Sequence, residues 1–102
     1  MKQRAVAWVY VLKCRDGSFY TGWTNDLEKR LRTHRSGKGG KYTRSRLPVR
    51  LAVAWRKRST REARSSEALF KQLSREEKMR KIREAKKVRS PRVRPRRDAG
   101  GA

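Results

Sequence analysis

The sequence predicts an α/β (α+β) fold: a three-stranded antiparallel sheet flanked by helices, in the order β-β-α-β-α-α. Three observations carry this expectation. Residues 5–14 and 18–23 read as strands on either side of Asp16-Gly17, a tight-turn pair, and so form a hairpin. Residues 49–55 alternate Leu51, Val53 and Trp55 with Arg50, Ala52 and Ala54, which makes a third strand. The remaining stretches place apolar residues at helical spacing behind good capping residues.

In the first strand Val6, Trp8, Tyr10 and Leu12 point one way, and Ala7, Val9 and Val11 the other. Both sets are apolar, so this strand is expected to be covered on both faces. The hairpin brings Tyr10 and Tyr20 onto neighbouring strands. Asn25 is the expected N-cap of the first helix, with Glu28 three residues on as in a capping box. That helix runs to about residue 36, where Gly37, Gly39 and Gly40 stop it. At about 100° per residue, Leu27, Arg30, Leu31 and His34 share one stripe, so the leucines hold Arg30 and His34 beside the core. Residues 37–48 read as a basic, glycine-containing loop. A second helix spans about 60–73, with Ala63, Leu69, Phe70 and Leu73 in an apolar arc and Glu67 at its rim. Ser74 and Glu77 form a capping box for a third helix, which carries Met79 and Ile82 and fades near Glu84.

The expected organisation is one domain over residues 1–84 and a basic tail over 85–102. Residues 86–97 hold seven Lys or Arg and two prolines with almost nothing to bury, so the tail is expected to be disordered when free and to grip phosphates without regard to sequence. The whole chain carries 31 Lys and Arg against 9 acids, a formal net charge of +22. A chain so charged repels itself unless an anion screens it. Nucleic acid is the first expected partner, DNA ahead of RNA, with an acidic membrane surface second. Charge alone does not separate an enzyme from a packaging protein. A single cysteine, Cys14, excludes an internal disulfide and a thiolate metal cage. No apolar run reaches the roughly 18 residues of a membrane span, and the N-terminus has no cleavage pattern; a cytoplasmic, soluble protein is expected.

The chemistry-bearing residues recur at intervals: Tyr10, Tyr20 opening Tyr20-Thr21-Gly22, then Arg30 and His34, and much later Glu67. With Lys41-Tyr42-Thr43-Arg44 and Ser66-Glu67-Ala68-Leu69-Phe70-Lys71, this order resembles the GIY-YIG nuclease superfamily, in particular its small stand-alone bacterial members. The resemblance covers roughly residues 6–82. Trp8 replaces the glycine of the first motif and Thr21 the aliphatic of the second, and the late asparagine of the phage-type homing endonucleases has no counterpart. The resemblance implies a metal-dependent endonuclease that hydrolyses phosphodiester bonds. The alternative is a non-catalytic, basic nucleic-acid-binding protein that keeps the nuclease fold.

Each residue also has a plainer reading. Tyr10 and Tyr20 could be core aromatics; the resemblance makes one the general base on the attacking water, with Tyr20 favoured, and the other a positioner. Arg30 is read as the clamp on the scissile phosphate. His34 either donates to a phosphate or caps the pocket. Glu67 is either half of a surface ion pair or, as the resemblance implies, the ligand of one Mg²⁺ (or Mn²⁺) that takes its other ligands from water and substrate. Lys41, Tyr42, Arg44, Lys71, Lys86, Lys87, Arg89 and Arg92 are the expected nucleic-acid contacts. Gly22 either keeps a strand end open or marks a bulge, and Trp8, Trp23 and Trp55 are read as core.

Overall fold

The hairpin, the crossover and the helices form as the residue pattern dictates. The structure, a computed structural model, describes residues 7–93, with side chains as far as Lys86. The elements are β1 (Ala7–Lys13), β2 (Phe19–Thr24), α1 (Leu27–Arg35), α2 (Lys41–Arg44), β3 (Arg50–Lys57), α3 (Thr60–Lys71) and α4 (Arg75–Val93). They fall into two compact units that meet between Gln72 and Leu73.

In the first unit β1 is the central strand of a β2-β1-β3 antiparallel sheet. Gly17 takes the left-handed backbone that the hairpin needs, with φ 87°. Asp16 closes the same turn by accepting from the backbone N–H and hydroxyl of Ser18, at 3.0 and 2.6 Å. The register sets Tyr10 opposite Gly22 on one side and Ala54 on the other. A register shift between Val11 and Leu12 marks an irregularity against β3.

Both faces of β1 are buried, as its unbroken apolar run predicts. Tyr10, Leu12, Cys14 and Val49 pack with Leu27 and Leu31 of α1. On the opposite face Ala7 and Val9 meet Ala63 of α3, with Trp23 and Trp55 packed against them. Trp55 stacks obliquely on Phe70 at 5.5 Å between ring centres. Trp8 is only half-buried and joins neither cluster.

Helix ends differ from expectation by small, explicable amounts. Asp26, not Asn25, is the N-cap of α1, its carboxylate accepting from the N–H of Lys29 at 3.1 Å. Thr24 moves the start by one residue, since its hydroxyl accepts from the Asp26 N–H at 3.0 Å and holds that residue extended. Gly37, with φ 86°, stops the helix as expected, and Lys38 N–H donates back to the Thr33 carbonyl. The following segment is not a plain loop: α2 adds one helical turn, and its Thr43 is fully buried. Ser59 caps α3 by accepting from the Glu62 N–H at 3.1 Å.

In the second unit, Ser74 and Glu77 make the expected reciprocal cap of α4, at 2.9 and 3.2 Å. The helix then continues to Val93, nine residues beyond the expected end near Glu84. Lys and Arg are good helix formers, and charge density did not end the helix. The side chains of Lys87, Arg89 and Arg92, and all of residues 94–102, lie outside what the structure describes. No helix among the described residues is long and apolar enough to cross a membrane.

Candidate active site

Tyr10 and Gly22 face each other across β1 and β2, and that pairing builds the floor of the site. A Cβ on residue 22 would stand 2.7 Å from the Tyr10 hydroxyl oxygen and 2.8 Å from the ring carbon that bears it. Glycine is therefore required for close approach by the phenol; neither expected role, an open strand end or a bulge, is needed. Gly22→Ala should displace the Tyr10 ring and cost about 1–3 kcal/mol, as overpacking does. A thermal melt checks this; an unchanged melting temperature would contradict it.

Tyr10 is 1% exposed, and its hydroxyl lies 2.9 Å from Nε2 of His34. Tyr20 is half-buried, its ring centre 6.4 Å from that of Tyr10 and 5.1 Å from that of His34. His34 itself is 0% exposed, and its Nδ1 lies 2.9 Å from the Thr43 hydroxyl. Gly39 lies so close to the imidazole that any side chain there would overlap the ring. His34 is thus sealed with both nitrogens engaged. It holds Tyr10; of its two expected roles, closing the pocket fits this geometry and donating to a phosphate does not.

Tyr10, Tyr20, Arg30 and Glu67 wall one open pocket of about 580 Å³, with Gly22, Trp23, Asp26, Lys29 and Thr33 among its other residues. The volume is in the range of small-molecule sites and admits a nucleotide-sized group. Arg30 sits one turn before His34 on α1, exposed to solvent at the pocket wall instead of tucked against the core. Glu67 comes from α3, with its side chain 19% exposed, and pairs with Lys71 at 3.3 Å. Trp23 packs against the core as expected and also lines the pocket.

Burial and neighbouring charges act strongly on the Tyr10 phenol. Burial, then the neighbouring Tyr20, pushes the Tyr10 phenol far above its ordinary range; Glu67 adds to this, while the charge and hydrogen bond of Arg30 pull it down. Burial, with Arg30 beside it, lowers the His34 imidazole, so the ring is neutral near pH 7. Tyr10 is the phenol that keeps its proton, and Tyr20 is the more accessible one.

The other expected contacts spread more widely. Tyr42 on α2 leans on Tyr20, 5.9 Å between ring centres, and carries the Arg46 guanidinium at 3.8 Å. Arg46 is fixed in turn by Asp16 at 3.2 Å. Lys41, Arg44 and Lys71 are exposed on the first unit but do not line the pocket, and Lys86 is exposed on α4. Thr43, Gly39, Lys29 and Thr33 were not read as site residues in the sequence, although Thr43 lies beside Tyr42, Gly39 is one of the expected helix-stopping glycines, and Lys29 and Thr33 flank Arg30 and His34 on the first helix.

Among the described residues no three His, Cys, Asp or Glu gather as a metal cage. Asp26 is committed to its helix cap, and His34 has no free nitrogen. One half-buried carboxylate in an open pocket suits a hard cation that keeps most of its waters, so Glu67 fits a single Mg²⁺ or Mn²⁺ and does not fit zinc.

A pair of strand tyrosines, a helix arginine and a lone glutamate around one pocket, on a β-β-α-β-α frame, define a class, and the comparisons agree. The chain matches the GIY-YIG catalytic domain over residues 6–81 and belongs to that family. It is similar to a UPF0213 protein of Bacillus licheniformis, 56% identical over 78 residues, which covers 76% of this chain and 80% of that one. A UPF0213 protein of Streptococcus agalactiae is 51% identical over 80 residues, covering 78% and 91%. The solution NMR structure of a UPF0213 protein from Bacillus halodurans is 47% identical, with a TM-score of 0.51, covering 76% of this chain and 82% of that one.

Proposed function

We propose that this chain is a metal-dependent endonuclease that hydrolyses phosphodiester bonds in nucleic acid, with DNA favoured over RNA. The observation that carries the reading is the convergence of Tyr10, Tyr20, Arg30 and Glu67 on one pocket, in a chain of net charge +22. Arg30 grips the scissile phosphate and offsets the charge that builds on its oxygens. Tyr20, the more accessible phenol of the pocket, accepts a proton from the attacking water. Tyr10, held by His34, fixes the position of Arg30 and orders water in the pocket. Glu67 would hold one divalent cation, whose chemistry there is neutralisation of phosphate and leaving-oxygen charge.

The Glu67–Lys71 pair favours a second reading, because it satisfies the carboxylate with no metal. In that reading the domain binds nucleic acid without cutting it. Incubation of the purified protein with duplex, branched and single-stranded DNA and RNA, in Mg²⁺, in Mn²⁺ and in chelator, tests both. Hydrolysis requires cleavage that chelator removes. Binding that is unchanged by chelator, with no cleavage on any substrate, favours the second reading.

A further inference from the structure

The hydroxyl of Thr43 lies outside the pocket, yet it ends a chain of hydrogen bonds that begins at the pocket wall. The direction of that chain follows from what each group can do. Arg30 shares the pocket wall with Tyr10 and its positive charge acts on that phenol, and a group that can only donate is met by a lone pair of the oxygen, not by the O–H. The phenol's own hydrogen then has the Nε2 of His34, 2.9 Å away, to receive it. An Nε2 that accepts is bare, and a neutral ring must then carry its proton on Nδ1. The Thr43 oxygen stands 2.9 Å from Nδ1. With His34 at 0% exposure and Gly39 against the ring, bulk water cannot take that role.

We infer that Thr43 is a positioning residue that holds His34 in the Nδ1–H tautomer and thereby turns the Tyr10 O–H inward, away from the pocket. Tyr10 then meets the pocket as a hydrogen-bond acceptor, toward Arg30 and toward a water. Without the Thr43 oxygen, an Nδ1–H would be a buried donor with no acceptor, the costlier of the two unsatisfied states. The proton moves to Nε2, the ring donates to Tyr10, and the phenol hydrogen swings into the pocket to compete for the water's lone pair. The kinetic consequence rests on the hydrolytic reading above; the tautomer does not.

His34 is the only histidine in the chain, so long-range ¹H–¹⁵N correlations of the labelled full-length protein report its tautomer without assignment. The wild type should show Nδ1–H. Thr43→Ser keeps the hydroxyl and should keep that tautomer, whereas Thr43→Val keeps the shape and should give Nε2–H. In single-turnover cleavage, Thr43→Val should lose about 10- to 100-fold, the range known for hydrogen-bond partners of metal-binding histidines. Its affinity for nucleic acid should be unchanged, and Thr43→Ser should restore the rate. Nε2–H in the wild type, or equal rates in the serine and valine variants, overturns the proposal even if Thr43→Val is too unstable to study. A wild type that shows Nδ1–H but cuts nothing refutes the hydrolytic reading and leaves the tautomer assignment standing.

Discussion

Glu67→Gln is expected to lower the cleavage rate by orders of magnitude while nucleic-acid affinity holds or rises. The substitution keeps the shape of the side chain and removes the charge that would hold a divalent ion. Charge stabilisation by such an ion is worth several kcal/mol, and each ~1.4 kcal/mol is tenfold in rate. Affinity should not fall, because a negative charge leaves the pocket proposed to take a phosphate. Stability should change little. The partner, Lys71, is 55% exposed, and a solvent-screened i,i+4 pair on a helix contributes only about 0.3–0.5 kcal/mol. Melting temperature, affinity and single-turnover rate measured on this one variant separate the roles. A large loss of melting temperature, with activity lost in proportion, would make Glu67 a structural residue. A stable, fully active variant would leave the metal assignment without a ligand.

Tyr20→Phe is expected to remove the general base. Such a group contributes roughly 10²–10⁴ in rate, and the pH dependence should go with it. In the wild type the rate should rise with pH, as a tyrosine general base requires. In Tyr20→Phe the profile should be flat. Tyr10→Phe should be slower too, because it removes the partner of the buried His34 Nε2, but it should keep the upward slope. The contrast follows from burial: Tyr10 at 1% exposure, next to Tyr20 and Glu67, holds its proton far more tightly than an ordinary phenol. A flat profile in Tyr10→Phe with a retained slope in Tyr20→Phe would exchange the two assignments.

Strand pairing and the two-sided burial of β1 were legible in the sequence because period and spacing carry them; that Tyr10, Tyr20, Arg30 and Glu67 share one pocket was what the family resemblance implied, not what period showed. The alternation in residues 5–14 declares two apolar faces, and Asp16-Gly17 fixes the hairpin that pairs Tyr10 with Gly22. What period cannot carry was misread. The cap of α1 fell one residue late because the Thr24 hydroxyl, a tertiary detail of the turn, selects Asp26. The single turn of α2 is too short to leave a periodic trace. The place of His34 depends on Thr43 and on the missing side chain of Gly39, nine and five residues away in a segment with no regular pattern. Its isolation from solvent therefore had no sequence signal. The extent of α4 was underestimated because charge density and prolines were weighed above the helix propensity of Lys and Arg.

The position of α3 has a consequence for synthesis. The phenols and Arg30 lie within the first third of the chain, while Glu67 arrives on the last helix of the first unit, which packs on β1 and β2. A nascent chain still inside the ribosome at α3 already contains both phenols and Arg30. It lacks Glu67 until the helix emerges and docks. Long-range docking is the slow kind of folding event. On the proposed hydrolytic reading, such an order of emergence would keep the pocket without its metal ligand until the domain is finished.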